Sequence, residues 1–165
     1  YVDCAEELVK QVNEMGIEID AVVCASGSGT THAGLVAGLK ALGNTIPVYG
    51  ICVRRDRTAH MERVFNKSLT VAEMIGFDNI IDEDDIRLTD VTLAPGYGRL
   101  NDEVSEAIEL AAKKEGLLVD PVYTGKALAG LIYLIRAKQF STEQNVIFIH
   151  TGGTPALFGY PELVE

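Results

Sequence analysis

Hydrophobic residues at the start of the chain are spaced first as a helix and then as a strand. The i, i+3, i+4, i+7 spacing of an amphipathic helix is carried by Ala5, Leu8, Val9 and Val12. Gly16 follows as a C-terminal stop. Residues 19–25 predict a strand, and residues 31–42 predict a helix that packs closely on a sheet.

The rest of the chain alternates between the same two patterns. Further strands are predicted at residues 47–53, 89–93 and 145–150. Further helices are predicted at residues 57–75, at residues 102–115 after an Asn101 cap, at residues 124–137, and in a short final segment. The alternation predicts a three-layer α/β fold, with a mostly parallel sheet and helices on both faces.

Composition narrows the class of protein. A chain of 165 residues with 47% hydrophobic and 23% charged residues suits one core, and hence one domain or part of one. The net charge of −10 disfavours nucleic acid and anionic membranes as partners, and no apolar run is long enough to span a bilayer. The three cysteines are scattered without metal-ligand spacing, which predicts reduced thiols in a cytoplasmic protein and no metal site.

A run of glycines and hydroxyl residues lies where the first strand gives way to a helix. Its sequence is Ser26-Gly27-Ser28-Gly29-Thr30-Thr31-His32-Ala33-Gly34. Gly27 and Gly29 permit positive φ and close approach of a ligand, and the free N–H groups of a helix start attract anions. The hydroxyls of Ser28, Thr30 and Thr31 add donors. The run predicts a phosphate-binding loop, with a purely structural turn as the alternative.

Two common phosphate ligands do not fit the spacing. A dinucleotide site needs a third glycine where this chain has His32, and an acidic residue where the second strand ends in Arg54-Arg55. A Walker A loop would need a glycine at Asp120, ahead of the single Gly-Lys pair at residues 125–126. Other phosphorylated ligands stay open.

Three more motifs follow the phosphate loop. They are Ala94-Pro95-Gly96-Tyr97-Gly98, the segment LVDPVYTGKA at residues 118–127, and the segment IFIHTGGTPALF at residues 147–158. In this order, the four motifs resemble the pyridoxal-phosphate enzymes of the tryptophan synthase β-subunit fold type. Within that fold type they resemble the D-cysteine desulfhydrase and 1-aminocyclopropane-1-carboxylate (ACC) deaminase family. The resemblance covers nearly the whole chain and implies pyridoxal 5′-phosphate as the cofactor.

The resemblance also implies roles for individual residues. The backbone from Gly27 to Thr31, including Ser28, Gly29 and Thr30, is expected to hold the cofactor phosphate. Tyr97 and Tyr123 correspond to active-site tyrosines that position or relay protons. Thr124 and Thr151 are candidates for facing the pyridine nitrogen.

Thr124 bears on the choice of substrate. ACC deaminases resemble Tyr-Glu-Gly-Lys at residues 123–126, and a carboxylate there would favour a protonated pyridine and a stronger electron sink. A threonine favours a substrate with a good leaving group, and Thr151 also resembles the desulfhydrase version. We therefore expect α,β-elimination of D-cysteine to pyruvate, hydrogen sulfide and ammonia. ACC deamination and a non-catalytic phosphate-ligand or assembly module are the alternatives.

One expected feature is missing from the chain. In the family, the lysine that holds the cofactor aldehyde lies in the N-terminal half, on a segment resembling Gly-Gly-Asn-Lys, which this chain does not contain. Residues 1–165 are therefore expected to be the C-terminal, cofactor-binding part of one domain, inactive alone and prone to self-association, as a homodimer or otherwise.

Several polar residues receive structural interpretations. Lys126 is interpreted as a helix-surface lysine or one behind the site, and His60 as exposed on a helix. His32 and His150 are interpreted as core or supporting histidines, and residues 82–85 as a solvated acidic loop.

Overall fold

A parallel sheet lies at the centre of the computed structural model, which describes residues 1–163. Within those residues the sheet has four strands in the order β3-β2-β1-β4. The strands are β1 (Ala21–Ser26), β2 (Val48–Cys52), β3 (Arg87–Thr89) and β4 (Val146–Phe148). The register pairs Val22 with both Val48 of β2 and Ile147 of β4, so β1 is central.

The five α-helices of the described chain cover both faces of the sheet. They are α1 (Val2–Met15), α2 (Thr30–Ala41), α3 (Arg57–Met74), α4 (Asp102–Glu115) and α5 (Thr124–Arg136). Alternate residues of β1 point in opposite directions: Val22 and Cys24 pack with α1, α2 and α3, whereas Val23 packs with α5. Helix α4 packs on α5 through Val104 and Ala107. The predicted three-layer α/β fold is confirmed.

Local signals set several helix ends where they were predicted. Helix α1 ends at Gly16, which has the left-handed φ of 65° that glycine tolerates best. Helix α4 begins at Asn101, whose side chain accepts a hydrogen bond from the Val104 amide at 2.8 Å. Asp56 caps α3 in the same way through the Ala59 amide.

The strand predicted at residues 89–93 is wrong in position. β3 covers Arg87–Thr89, and the chain then turns with Leu93 N donating to Asp90 O at 2.9 Å. The Asp90 carboxylate also accepts from the Arg57 amide, so this segment binds the start of α3 instead of extending the sheet. The acidic segment before β3 is a 3-10 turn at Glu83–Asp85.

The order of the strands creates a crevice at one end of the sheet. The chain leaves β1 through α2 to β2 on one side, and it comes back after α5 to β4 on the other side. In open parallel sheets, ligands bind outside the carboxyl ends of strands at such a reversal of direction. The phosphate loop follows β1 and Thr151 follows β4, so both lie at this switch point. No helix among residues 1–163 is both long and apolar enough to cross a membrane.

Candidate functional site

The phosphate loop connects β1 to the N-terminus of α2. Gly29 precedes α2 with a φ of 85°, and the first helical backbone bond runs from Ala33 N to Gly29 O. Thr30 N donates instead to Ser28 Oγ at 3.3 Å, which stabilises the turn. Ser28 and Thr30 are exposed and Thr31 is half-buried, so hydroxyls and first-turn amides are presented together at the helix start.

Two cationic side chains lie against this loop. Arg55 Nη1 donates to the carbonyl of Gly27 at 3.4 Å. A Cβ on Gly29 would lie 3.6 Å from Cδ of Lys67, so the Lys67 side chain passes beneath the turn. These residues were not predicted to belong to the site, although Arg54-Arg55 follows the neighbouring strand and that position is a usable signal. Their charges favour a dianionic phosphate in a chain of net charge −10.

The two predicted tyrosines meet beside the loop. Their hydroxyls form a hydrogen bond, and their rings pack edge to face with centroids 5.9 Å apart. A Cβ on Gly27 would lie 3.4 Å from Cε1 of Tyr123, so the ring packs closely on the loop. The Arg54 guanidinium lies 5.5 Å from the centroid of Tyr97. The hydrogen bond with Tyr97, and then burial, raise the pKa of Tyr123.

Asp120 organises the start of α5. Its buried carboxylate accepts from the amides of Val122 and Tyr123, each at 2.8 Å, through Oδ2. Oδ1 accepts from the amide and the hydroxyl of Thr124, at 2.6 Å and 2.7 Å. The hydroxyl of Thr124 is thus bound to Asp120, and its role towards a pyridine nitrogen stays a prediction.

The turn after β4 packs on the same carboxylate. A Cβ on Gly153 would lie 2.8 Å from Cγ of Asp120, so only a glycine fits this approach. His150 Nε2 donates to Leu118 O at 3.0 Å and therefore supports the turn, as interpreted from the sequence. Thr151 is exposed on this turn, and its role towards the cofactor also stays a prediction.

The interpretation of Lys126 as a helix-surface residue is wrong. The side chain is fully buried, because the first turn of α5 packs against the loop before α4. The ammonium donates to the carbonyls of Thr92, Leu93 and Gly96 at 3.3, 2.9 and 3.0 Å. Burial lowers the pKa of Lys126, while three acceptors favour its charged form.

A buried serine lies between two histidines under the phosphate loop. Ser26 Oγ is 3.3 Å from His32 Nδ1 and 3.0 Å from His60 Nε2, and His32 Nε2 is 3.1 Å from Val48 O. The interpretation of His32 as a core histidine agrees with this geometry. The interpretation of His60 as exposed is wrong, because α3 packs this face on β1 and α2.

The hydrogen bonds that link His32, Ser26 and His60 have a defined direction. A carbonyl only accepts, so His32 Nε2 carries the proton, and burial lowers the pKa of His32 to about 4, which leaves Nδ1 bare near neutral pH. Ser26 therefore donates to His32 and accepts from His60 Nε2. Among the described residues, Nδ1 of His60 is then a buried acceptor without a partner.

Comparisons with known proteins agree with this geometry. The sequence profile of the family described as "Pyridoxal-phosphate dependent enzyme" matches residues 1–152. A crystal structure described as an ACC deaminase homologue superposes with a TM-score of 0.86 and 34% identity, over 98% of this chain and 47% of that chain. A threonine deaminase from T.th. gives a TM-score of 0.59 and 20% identity, over 92% of this chain and 56% of that one, and so shows the fold alone.

This chain spans about half the length of the solved structures that it matches. The family match covers all of the strands and helices that form the crevice. The chain therefore belongs to the family of pyridoxal-phosphate dependent enzymes, and the predicted resemblance to the ACC deaminase and D-cysteine desulfhydrase family is confirmed.

Proposed function

We propose that this chain is the phosphate-binding part of an enzyme that uses pyridoxal phosphate to eliminate hydrogen sulfide from D-cysteine. The observation that carries the proposal is the packing of Tyr123 on Gly27, with Tyr97 bonded to Tyr123. Two phenols that can hold or move a proton thus lie directly beside a loop suited to a phosphate monoester.

The residues present fit the cofactor phosphate. A dianion at the start of α2 would meet first-turn amides, the hydroxyls of Ser28 and Thr30, and the positive charges of Arg55 and Lys67. Gly29 adopts a φ of 85° and a Cβ on Gly27 would crowd Val53 at 3.2 Å, so the loop backbone adds to the binding surface beside the hydroxyls.

Bound at this loop, pyridoxal phosphate supplies an electron sink for negative charge that develops at the α-carbon of an amino acid. The residues of the chain then have separate tasks. The phosphate loop orients the ligand, and Arg55 and Lys67 offset its charge. Tyr123 is a protonated phenol near neutral pH, and its hydrogen bond with Tyr97 raises its pKa further, so the pair of phenols is suited to hold a proton beside the ligand.

The preference for D-cysteine rests on Thr124. The resemblance gives ACC deaminases a glutamate at this position. In this chain the residue is Thr124, whose hydroxyl donates to Asp120. The Asp120 carboxylate is already engaged by Thr124 and by backbone amides, and residue 124 itself brings no carboxylate to stabilise a protonated pyridine, so a substrate with a good leaving group is favoured. The balanced reaction converts D-cysteine and one water into pyruvate, hydrogen sulfide and ammonia.

Two other functions have a specific observation in their favour. The relative with a TM-score of 0.86 is described as an ACC deaminase homologue, which favours ACC deamination. A non-catalytic phosphate-ligand or assembly module is favoured by Lys126, since the one lysine within a motif has its ammonium bound to three carbonyls.

The first experiment measures cofactor binding to this chain. Pyridoxal phosphate is titrated and compared with pyridoxal, which lacks the phosphate, in the chain and in a Ser28→Ala/Thr30→Val variant. We expect the phosphate to improve affinity by roughly tenfold or more, or about 1.4 kcal/mol, and the variant to lose part of this gain. A matched control is Thr70→Val, whose exposed hydroxyl bonds to Asn66 O on α3. Equal affinity for both ligands would refute the phosphate loop.

The second experiment distinguishes the three functions. A separate polypeptide that corresponds to the N-terminal half of the family, with its Gly-Gly-Asn-Lys segment, is added together with pyridoxal phosphate. D-cysteine and ACC are then tested in turn as substrates. Sulfide and pyruvate from D-cysteine support the proposal. Ammonia and 2-oxobutanoate from ACC alone identify a deaminase, and bound cofactor with neither product identifies the module. Light scattering on the same samples tests the proposed self-association.

A further inference from the structure

A buried cation connects the loop that carries Tyr97 to the helix that carries Tyr123. Lys126 lies in the first turn of α5, and its ammonium donates to Leu93 O at 2.9 Å and to Gly96 O at 3.0 Å, with Thr92 O as a third acceptor at 3.3 Å. An ammonium has three N–H donors, so three carbonyls account for all of them. Each of these acceptors belongs to one short segment, residues 92–96.

That segment has few backbone hydrogen bonds of its own in the described chain. Two such bonds lie within residues 90–100, one from Leu93 N to Asp90 O and one from Arg99 N to Gly96 O. Asn101 Nδ2 holds one side of the loop through Ala94 O at 2.7 Å. Lys126 holds the other side, and the Thr92 hydroxyl returns a bond to Lys126 O at 3.0 Å. Beyond Tyr97, the Tyr160 hydroxyl donates to Gly98 O at 2.6 Å, so Lys126 is the side chain that holds the part of the loop before Tyr97 to α5.

The tyrosines lie close in sequence to the two ends of this connection. Tyr97 follows Gly96, whose carbonyl accepts from the ammonium, and Tyr123 lies three residues before Lys126. The hydrogen bond between two hydroxyls weakens steeply with distance and angle. A loop that moved by about an ångström or more would therefore lose the bond between the phenols before it lost its fold.

We propose that Lys126 is a positioning residue, whose ammonium holds residues 92–97 so that Tyr97 keeps its hydrogen bond to Tyr123. The chemical use of this pair rests on the proposed function, whereas the hydrogen bond itself needs neither cofactor nor substrate. A lysine suits the task because a compact ammonium can donate in three directions, while the planar guanidinium of an arginine cannot meet three converging carbonyls.

The readout is the titration of Tyr123, followed by NMR of the chain with labelled tyrosine Cζ carbons. The hydrogen bond with Tyr97 is the largest cause that raises the pKa of Tyr123. Tyr97→Phe provides the reference and is expected to lower this pKa, because it removes the hydrogen bond between the two phenols. Lys126→Met is expected to lower it by a similar amount. Lys113→Met, at an exposed lysine of α4, is the matched control and is expected to leave it unchanged.

A folded Lys126→Met chain in which Tyr123 titrates as in the unaltered chain would overturn the proposal. If that variant does not fold, Lys126→Arg is read in the same way. The unaltered chain gives a further test, since slow exchange of the Lys126 ammonium protons and their coupling to carbonyls 92, 93 and 96 are expected. Ammonium protons that exchange as fast as those of Lys113 would equally overturn it.

The outcome is separable from that of the proposed function, because no cofactor or substrate is present. A negative titration result would leave phosphate binding and sulfide release untouched. Conversely, a shifted Tyr123 together with no product from either amino acid would support the role of Lys126 and refute the proposed function alone.

Discussion

Acidification is predicted to destabilise the chain through His32. Burial lowers the pKa of His32 from its ordinary 6.5 to about 4, so the unfolded chain binds a proton more readily than the folded chain between these values. Stability conferred by the neutral imidazole is present above pH 6.5 and is lost as the pH falls towards 4. From about pH 7 to about pH 5, the linkage from this group amounts to about 2 kcal/mol.

The assay is urea unfolding, followed by circular dichroism at a series of pH values. His32→Gln keeps a donor for Val48 O but no longer titrates, so the difference in slope between the two chains isolates the contribution of His32. His60 lies on the other side of Ser26, and its pKa is lowered first by burial and then by Arg55 and Arg63, so it acts in the same direction in both chains.

Parallel stability curves for the two chains would refute this reasoning. The pKa of His32 can also be measured without a variant, by NMR titration of its ring in the folded chain. A value near 6.5 would show that the imidazole protonates without cost, which is incompatible with the direction of its hydrogen bonds to Ser26 and Val48.

Substitutions at Asp120, Gly50 and Lys40 test other parts of the structure by urea unfolding. Asp120→Ala is expected to cost roughly 3–5 kcal/mol, because one buried and two partly buried amides lose a buried acceptor, and Asp120→Asn about half of that; a cost below about 1 kcal/mol for Asp120→Ala would contradict the assignment. Gly50→Ala is expected to cost roughly 1–3 kcal/mol, because a Cβ would overlap the His32 ring, whereas Gly159→Ala, where nothing lies within 4 Å, is the control expected to stay near zero. Lys40→Met is expected to cost less than about 1 kcal/mol, because its 2.9 Å ion pair is partly exposed, and a larger loss would show that the pair is more shielded than its exposure indicates.

Local signals predicted most of the framework. The glycine after α1, the asparagine before α4 and the spacing of apolar residues are readable because each acts within a few residues of its position. The strand β3 was misplaced because a three-residue strand has almost no pattern of its own, and its position is decided by pairing with Tyr49 to Ile51.

The supporting residues of the site were harder to predict. Lys126 and His60 lie on helices, where a charged or polar residue normally faces water. Their burial depends on partners distant in sequence, the carbonyls of residues 92–96 for Lys126 and the hydroxyl of Ser26 for His60. Spacing within the sequence does not report such partners, whereas the tyrosines were found because their motifs resemble those of a known family.

The central position of β1 has a consequence for the order of folding. One wall of the crevice, the phosphate loop between β1 and α2, needs only a local crossover to β2. The other wall, the turn after β4, forms only when β4 pairs with β1. This pairing joins residues more than a hundred positions apart and closes a loop of high entropic cost. A partly folded chain in which β4 is not yet paired would therefore contain the phosphate loop but only one wall of the crevice. Binding of a ligand that contacts both walls would require that β4 has paired with β1.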